Sequence, residues 1–428
     1  MLLLGVGLFI LAVLIGLPVA FALLLASAPT FLTGEYLPAQ VAVQKMVSVT
    51  QSYPLMAIPF FVLAGNIMVA SGIAERLVQF SRVAVGWTVG GLAQVSIVLS
   101  LVMGGISGSA VADAAMQSRL LGEPMIAKGY APGFAAGVIT YSSIITALIP
   151  PSIGLIVFGV IANVSVGRLL LAGIIPGLIL TLALMVYTWA AAQRAGYGAD
   201  DMPRPTPREM GRATLRAFWA LMFPVFLLLG FRFGIFTATE AGAFVVLYSA
   251  FIGFVVYREL TLAKLAVAVQ QSLSDIGMIM FIIIVAAVLG HVIVLEQAPA
   301  GMAQALGAVT QNPTLTLLLV LAFLVVAGML MEATVNVLLL TPIFLPILTA
   351  QGHDPIHVGV LMVTIITMGS NTPPLGISMF TVCGMLNVSI REYIRGSTPF
   401  LLVMLGVFLV LALVPALVTW LPYQAMGR

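Results

Sequence analysis

Apolar residues follow one another in long runs along almost the whole chain, and short clusters of charge, glycine or proline interrupt them. Because these runs are continuous rather than alternating, they predict membrane-spanning helices and exclude a barrel of β-strands. Four uncharged runs are far longer than the roughly 20 apolar residues that cross a bilayer. These runs are residues 1–34, 129–167, 297–331 and 396–427. The sequence therefore predicts an all-α polytopic membrane protein.

The interruptions divide the chain into spans and shorter surface helices. Segments 72–85, 261–273 and 297–309 are amphipathic or mixed, so we expect them at the membrane interfaces. The other runs predict spans at 1–27, 53–70, 129–163, 167–193, 213–232, 237–257, 275–295, 355–386 and 397–421.

Two further apolar segments, 88–121 and 313–349, are each too long for a single span. Each carries a glycine-rich or polar cluster at its middle, at 104–109 and at 328–334. Two half-helices on either side of such a cluster predict a re-entrant hairpin, which enters and leaves the membrane on the same side. Two ordinary spans joined by a tight turn are the alternative.

Short motifs recur at a nearly constant spacing, which indicates an internal repeat. An offset of 223 or 224 residues relates 163–165 to 387–389 (both Asn-Val-Ser), Gly104 to Gly328, Pro150-Pro151 to Pro373-Pro374, Gly129 to Gly352 and Pro132 to Pro355. Each copy reads as span, span, hairpin, proline-broken span and span. Matching spans lie an odd number of crossings apart, so the two copies are predicted to be inverted in the membrane. Inverted repeats with broken helices are typical of secondary transporters.

Lysine and arginine are unevenly distributed between the two sides that this topology implies. Thirteen lie on the side of the 194–216 loop and four on the other. Because these residues are enriched in cytoplasmic loops, we expect the N-terminus in the cytoplasm and the C-terminus on the outer, periplasmic side.

Composition excludes several other classes of protein. Hydrophobic residues make up 61% of the chain and charged residues 7%, and the net charge of +3 gives no reason to expect a nucleic-acid partner. Cys383 is the single cysteine, which excludes a disulfide framework or a thiolate metal cluster. The three histidines include no pair on one helix face, and no paired catalytic constellation is present. We therefore expect neither metal catalysis nor an enzyme.

The double prolines point to ion binding. Proline donates no backbone hydrogen bond, so the carbonyls of Thr146 and Ala147, and likewise those of Gly369 and Ser370, are predicted to lose their helical partners. Hydroxyl and amide oxygens are concentrated beside them, at Thr140, Ser142, Ser143, Thr146 and Ser152 and at Thr364, Thr367, Ser370, Asn371 and Thr372. Two such all-oxygen shells predict two sites for a hard cation. A proline kink repaired by serine and threonine is the alternative.

Two acidic residues fall inside the predicted hairpins, where charge is scarce enough to indicate function. Asp113 lies four residues after Ser109, on the same helix face. Each acid, Asp113 and Glu332, is a cation ligand, a proton acceptor or a tether of its hairpin; we favour the tether for Asp113 and an ion-binding or tip-fixing role for Glu332. The hairpin cores contain no lysine or arginine. A carboxylate substrate would therefore depend on helix N-termini, hydroxyls and co-bound cations.

Four motifs taken together resemble the large membrane (M) subunit of tripartite ATP-independent periplasmic (TRAP) transporters, and the similarity extends over essentially the whole chain. They are 104–114 (GGISGSAVADA), 149–152 (IPPS), 234–241 (GIFTATEA) and 371–376 (NTPPLG). The resemblance implies sodium-driven import of an organic acid, such as a C4-dicarboxylate or a sialic acid, across the bacterial inner membrane by an elevator movement. It also implies two partners, a small four-helix membrane (Q) subunit and a periplasmic substrate-binding (P) protein. Sodium would be the coupling ion, with no other cofactor.

The resemblance also implies roles for individual residues. The predicted sodium ligands are Ser107, Thr146, Ile149 and Pro151 at the first site and Glu332, Gly369, Thr372 and Pro374 at the second. The predicted substrate contacts are Gly108, Ser109, Ser152, Thr334, Ser370 and Asn371. The second sodium site is expected to differ, because Met331-Glu332-Ala333 stands where the first hairpin has Ser-Gly-Ser.

The predicted organisation alternates a scaffold with the two halves of a transport domain. Its segments are 1–87 (scaffold helices and arm), 88–163 (first transport half), 164–312 (scaffold and connecting helices), 313–390 (second transport half) and 391–428 (C-terminal helix).

A stand-alone sodium/dicarboxylate symporter with the same inverted hairpins is the closest alternative function.

Overall fold

The computed structural model describes residues 2–32, 39–198 and 203–427, and these residues are helical without any β-strand. Seven helices in the described ranges are long and apolar enough to cross a membrane. The prediction of an all-α polytopic membrane protein is therefore confirmed.

The first five helices precede the first predicted hairpin. They are α1 (Leu2–Leu14), α2 (Val19–Leu32), α3 (Ala39–Thr50), α4 (Ala57–Ala70) and α5 (Ile73–Val85). The predicted single span 1–27 is wrong, because Gly16 (φ +82°) and Pro18 end one helix and begin another. Helices α1 and α2 pack closely: a Cβ built on Gly5 would lie 2.5 Å from the carbonyl oxygen of Ala26. Helix α5 bends 69° away from α4, which agrees with a surface position for 72–85.

The first repeat follows. Hairpin 1 consists of α6 (Gly91–Ser107), α7 (Ala110–Gln117), a π-helical turn (Ser118–Gly122) and α8 (Glu123–Ala127). The first broken helix consists of α9 (Pro132–Thr146) and α10 (Ile153–Ala162), separated by break 1, residues 147–152, and α11 (Val166–Ala195) follows it. The two arms of hairpin 1 run antiparallel, since Ser96 bonds to Gln117 and Ser100 bonds to Asp113.

Four helices connect the repeats. They are α12 (Pro207–Arg232), α13 (Ala238–Phe251, extended by the π-helical turn Ile252–Val256), α14 (Leu262–Leu295) and α15 (Ala298–Val309). The predicted division of 261–273 from 275–295 is wrong, because both belong to the 34-residue helix α14. The polar residues that suggested a boundary are hydrogen-bonded instead: Asn66 on α4 donates to Ser272 and to Asp275.

The second repeat has the same order of elements. Hairpin 2 consists of α16 (Pro313–Leu330) and α17 (Ala333–Ala350); the second broken helix consists of α18 (Pro355–Gly369) and α19 (Ile377–Leu386), separated by break 2, residues 370–376. The chain ends with α20 (Ile390–Leu413) and α21 (Ala416–Met426). The predicted span 397–421 is therefore wrong at both ends: α20 begins earlier, at the Ser389 cap, and the chain breaks at 414–415.

The recurring sequence motifs occupy equivalent structural positions. Asn163 and Asn387 end α10 and α19 in the left-handed conformation, with φ of 52° and 51°. Ser165 and Ser389, two residues later, cap the following helices. Each Asn-Val-Ser triplet is thus a connector that stops one helix and starts the next.

The two repeats also pack reciprocally. Helix α6 lies against α9 as α16 lies against α18, and α7 lies against α19 as α17 lies against α10. The second arm of each hairpin therefore contacts the second half of the broken helix in the other repeat. Neither repeat forms its packed unit alone.

A close crossing joins α9 and α20, and it depends on two glycines. A Cβ built on Gly396 would lie 2.2 Å from the carbonyl carbon of Gly133, whereas one built on Gly406, further along α20, meets nothing within 4 Å.

We expect Gly396→Ala to lower the free energy of unfolding by about 1–3 kcal/mol, because the helices must separate. Gly406→Ala is the matched control and should leave stability unchanged or slightly raised. Thermal unfolding in detergent measures both variants, and equal effects would contradict this account of the crossing.

Candidate functional site: a cavity between hairpin tips and helix breaks

A cavity of about 800 Å³ lies where the two repeats meet the connecting helices. One wall is formed by the hairpin tips and both breaks, including 108–113 and 332–335. The opposite wall comes from α2, α4 and α14. Two regions that are distant in sequence, the scaffold and the hairpins, thus enclose one space.

The tip of hairpin 1 rests directly on break 1. Gly108 is in the left-handed conformation (φ +57°), and a Cβ there would lie 2.4 Å from the carbonyl oxygen of Pro151. Only glycine permits both this conformation and this approach. Ser109 then caps α7 by accepting from the Ala112 N–H. The sequence correctly predicted that this tip and this break meet.

Asp113 connects three elements in the interior. Its Oδ2 accepts hydrogen bonds from Ser100 on α6 (2.7 Å), Gln117 on α7 (2.8 Å) and Thr146 at the end of α9 (3.0 Å). Thr146 also donates to the Ser100 carbonyl (3.1 Å). The geometry agrees with the favoured tether role, since one carboxylate oxygen joins both arms of the hairpin to the broken helix. Its other oxygen, Oδ1, is buried without a hydrogen-bond partner among the described residues.

The tip of hairpin 2 is fixed by its own residues. Glu332 caps α17, accepting from the N–H groups of Thr334 (2.7 Å) and Val335 (3.3 Å) and from the Thr334 hydroxyl (3.0 Å). Asn336 donates to the carbonyls of Ala327 (3.1 Å) and Met331 (2.9 Å), which end the first arm. A tip-fixing role for Glu332 therefore agrees with the geometry.

Asn336 was not predicted from the sequence, although the repeat contained the signal. The offset of 223 residues that relates the double prolines also relates Ser109 to Glu332 and Asp113 to Asn336. Each pair shares its structure: the first member caps the second arm of its hairpin, and the second is buried one turn later. The Oδ1 atom of Asn336, like that of Asp113, is buried without a described partner.

Most of the carbonyls predicted to be free at the breaks have partners. The Ala147 carbonyl accepts from the Ser152 hydroxyl, the Gly369 carbonyl from the Thr372 N–H (2.9 Å) and the Ser370 carbonyl from the Ser378 N–H (3.0 Å). These three carbonyls lose their helical partners as predicted but are not free, because side chains and tight turns replace the helical bonds that proline removes. Both double prolines contain a cis peptide bond.

The predicted substrate residues divide into two groups. Gly108, Ser109, Thr334 and Ser370 line the cavity. Ser152 and Asn371 do not: Ser152 is the buried cap of α10. Asn371 is also buried, and its amide donates to the Thr140 carbonyl (2.8 Å).

The predicted sodium ligands lie at the hairpins and breaks, but not all face the cavity. Ile149 and Gly369 pack against Gly104 and Gly328, the paired glycines in the first arms of the hairpins. Thr372 donates its hydroxyl to the Met368 carbonyl (2.8 Å), and Pro374 is exposed. Glu332 lines the cavity. The side chain of Ser107 lies outside the described residues, so its role stays a prediction.

The cavity is acidic. Asp113, Asp275 and Glu332 line it, and no lysine or arginine belongs to its described wall. Asp275 and its hydrogen-bond partner Asn66 were missed by the sequence analysis, which placed the chemistry in the hairpins alone. An anion that enters this space meets carboxylates without a fixed positive charge.

Residues 6–417 match the family described as the tripartite ATP-independent periplasmic transporter, DctM component. The chain belongs to this family. It is therefore a permease component of a TRAP transporter and not an enzyme, as the sequence analysis expected.

Curated relatives in the family align over nearly the whole chain. The 2,3-diketo-L-gulonate TRAP transporter large permease protein YiaN of Escherichia coli is 35% identical, over 94% of this chain and 95% of its own length. The sialic acid TRAP transporter large permease protein SiaM of Vibrio cholerae is 34% identical, over 96% of each. The isethionate TRAP transporter permease protein DctMQ of Oleidesulfovibrio alaskensis is 34% identical over 96% of this chain but only 65% of its own length.

A solved structure has a similar fold. The crystal structure of the YdaH transporter from Alcanivorax borkumensis, described as having an unusual topology, superposes with a TM-score of 0.62. It covers 89% of this chain and 88% of its own chain at 16% sequence identity, so the likeness concerns the fold alone.

The Asp113 tether makes a direct prediction about stability. Asp113→Ala leaves the donors of Ser100, Gln117 and Thr146 without their shared acceptor, so we expect a loss of roughly 2–4 kcal/mol in the free energy of unfolding. Asp275→Ala is the control, because it removes a cavity carboxylate held by a single amide donor at 3.2 Å. Thermal unfolding should show a much larger effect at Asp113. Similar effects at both positions would argue against the tether.

Proposed function

We propose that this permease component couples the inward movement of sodium to the import of an organic acid across the bacterial inner membrane. The observation that carries the proposal is the acidic cavity, which contains three carboxylates and no basic side chain in its described wall. No basic side chain of the described wall balances a carboxylate substrate there, because each charged side chain of that wall is an acid. Co-bound cations supply the missing positive charge, and a gradient of those cations then drives transport.

The unpartnered oxygens support sites for a hard cation. Asp113 Oδ1 and Asn336 Oδ1 occupy equivalent positions in the two repeats, each buried close to a hairpin tip. A buried oxygen without a donor carries a desolvation cost that a cation would offset. Sodium prefers oxygen ligands. We propose two sodium sites at the residues predicted from the sequence, which are Ser107, Thr146, Ile149 and Pro151 for the first and Glu332, Gly369, Thr372 and Pro374 for the second.

The division of the cavity wall supports an elevator movement. The hairpins and breaks interlock across the repeats, through α7 with α19 and α17 with α10, and so form one packed body. Helices α2 and α4 both pack on α14, and the three helices face this body across the cavity. We propose that the segments 88–163 and 313–390 move together as the transport domain, while 1–87 and 164–312 provide the scaffold.

The proposal includes two protein partners. The DctMQ relative extends well beyond the region that this chain matches, which supports a small membrane subunit as a separate partner here. The family itself is tripartite and periplasmic by description, which supports a periplasmic substrate-binding protein as the third component. The relatives named for 2,3-diketo-L-gulonate and sialic acid support a carboxylate as the substrate class.

Sodium coupling predicts a defined ion dependence in reconstituted vesicles. Uptake of a labelled organic acid should require an inward sodium gradient and should not require ATP. Glu332→Gln keeps an oxygen that caps α17 but removes the charge, so we expect the sodium concentration for half-maximal uptake to rise several-fold. Glu240→Gln is the matched control, because it removes the charge of a helix-cap carboxylate outside the cavity, and it should leave this concentration unchanged. Undiminished uptake with potassium in place of sodium on both sides of the vesicle membrane would contradict the proposal.

Partner dependence separates the proposal from a stand-alone symporter. The purified chain alone should take up free substrate slowly, and adding the small subunit and the loaded binding protein should restore rapid uptake. The controls are the empty binding protein and vesicles without the permease. Rapid, saturable uptake by the chain alone would favour the stand-alone sodium/dicarboxylate symporter instead.

A further inference from the structure

A second, smaller groove lies far from the acidic cavity, between α5 and the first turns of α12. Its volume is about 180 Å³. Three of its lining residues are arginines and one is an acid. The lining consists of Arg76, Gln79, Phe80, Val83, Glu209, Arg212, Ala213 and Arg216.

The charges around the groove are only partly compensated. Arg76 is ion-paired with Glu259 (2.6 Å) and lies over the ring of Tyr257 (3.8 Å). The Glu209 carboxylate accepts from the N–H (2.8 Å) and hydroxyl (2.9 Å) of Thr206, which fixes it in the helix cap. Arg212 and Arg216 are exposed, and neither forms an ion pair with a described carboxylate. Arg212 is attracted to Glu209, one turn earlier on α12, but neither guanidinium group is held in an ion pair with a described carboxylate, so both can turn towards an anion.

The position of Arg216 along α12 places the groove at a membrane boundary. Arg216 and Arg232 enclose the 15 uncharged residues 217–231. A helix of this length is about 22 Å long, which is shorter than the roughly 30 Å hydrocarbon core of a bilayer. Because charged side chains avoid the hydrocarbon, the two arginine side chains extend from this short stretch towards opposite headgroup layers, and Arg212, one turn before Arg216, lies on the headgroup side.

Helix α5 supplies the other wall at the same depth. It bends 69° from α4 and is amphipathic: Ile73 and Leu77 are buried, while Gln79 is exposed. The groove also has an apolar side, formed by Phe80, Val83 and Ala213. A ligand that fits this arrangement has a compact anion next to an apolar chain.

We propose that this groove binds the phosphate of an anionic phospholipid, with Arg212 and Arg216 as the donors and the first part of an acyl chain against Phe80 and Val83. Guanidinium groups bind phosphate oxygens through paired hydrogen bonds. Basic pockets between helices at a membrane surface are suited to anionic headgroups. The proposal does not depend on sodium coupling or on the substrate.

Lipid-dependent thermal stability of the full-length chain in detergent tests the proposal. Short-chain phosphatidylglycerol should raise the unfolding temperature more than phosphatidylcholine of the same chain length. A surface arginine is worth about five-fold in affinity for an anionic lipid, so Arg212→Gln with Arg216→Gln should raise the half-maximal phosphatidylglycerol concentration by roughly 25-fold. The control removes the same charge from an exposed pair of arginines on α20, with Arg391→Gln and Arg395→Gln, and should behave as the wild type.

Three outcomes would overturn the proposal. Equal stabilisation by both lipids would show that the groove does not recognise the net negative charge of the lipid headgroup. An equal loss in the control variant would show attraction to overall charge rather than binding in the groove. The same stabilisation by inorganic phosphate at equal concentration would assign the site to a free anion. Native mass spectrometry of the wild-type chain, which should retain phosphatidylglycerol in preference to phosphatidylcholine, tests the site even if the double variant fails to fold.

Discussion

A backbone polar group at bilayer depth must find its partner inside the protein, and the centre of this structure depends on that requirement. Two broken helices and two hairpin tips release such groups in one small region. The Ser152 hydroxyl donates a hydrogen bond to a carbonyl at break 1, and backbone N–H groups at break 2 donate to two more carbonyls. Glu332 accepts from the first N–H groups of α17. Polar side chains are concentrated here because the interrupted backbone needs them, whatever else they bind.

The two repeats meet this requirement with different chemistry at equivalent positions. Asp113 binds donors from α6, α7 and α9, so it couples hairpin 1 to its broken helix. Its counterpart Asn336 donates to three carbonyls within hairpin 2 and so closes the tip on itself. Hairpin 1 is consequently tied to its neighbour through a shared carboxylate, whereas hairpin 2 is held to its neighbour by packing at Gly328 and Gly369. Two repeats with the same order of elements thus carry hairpins that differ in how they are attached.

The sequence was most informative where local chemistry decides the structure. Glycine clusters and double prolines marked both hairpins and both breaks, because their effect on the backbone does not depend on distant residues. Spans were predicted less well: hydropathy continues through Gly16 and Pro18 although the chain turns there, and it drops near Asp275 although α14 continues. At the site, Asp113 and Glu332 stood out as acids in apolar surroundings. Asn66 and Asp275 did not, because their position on the cavity wall follows from the packing of α4 on α14, which no local pattern encodes.

The acids of the cavity are stabilised by hydrogen-bond donors rather than by opposite charges. Asp113 receives three neutral donors, Glu332 receives the N-terminal dipole of α17 together with two N–H groups, and Asp275 receives one amide. Neutral donors lower the cost of burying a carboxylate, but they leave its net charge in place. Where these carboxylates are ionised, they attract cations and repel an organic anion. Under the proposed coupling, this fixes an order in which ions bind first and the organic acid follows, so the empty cavity selects against moving substrate without its ions.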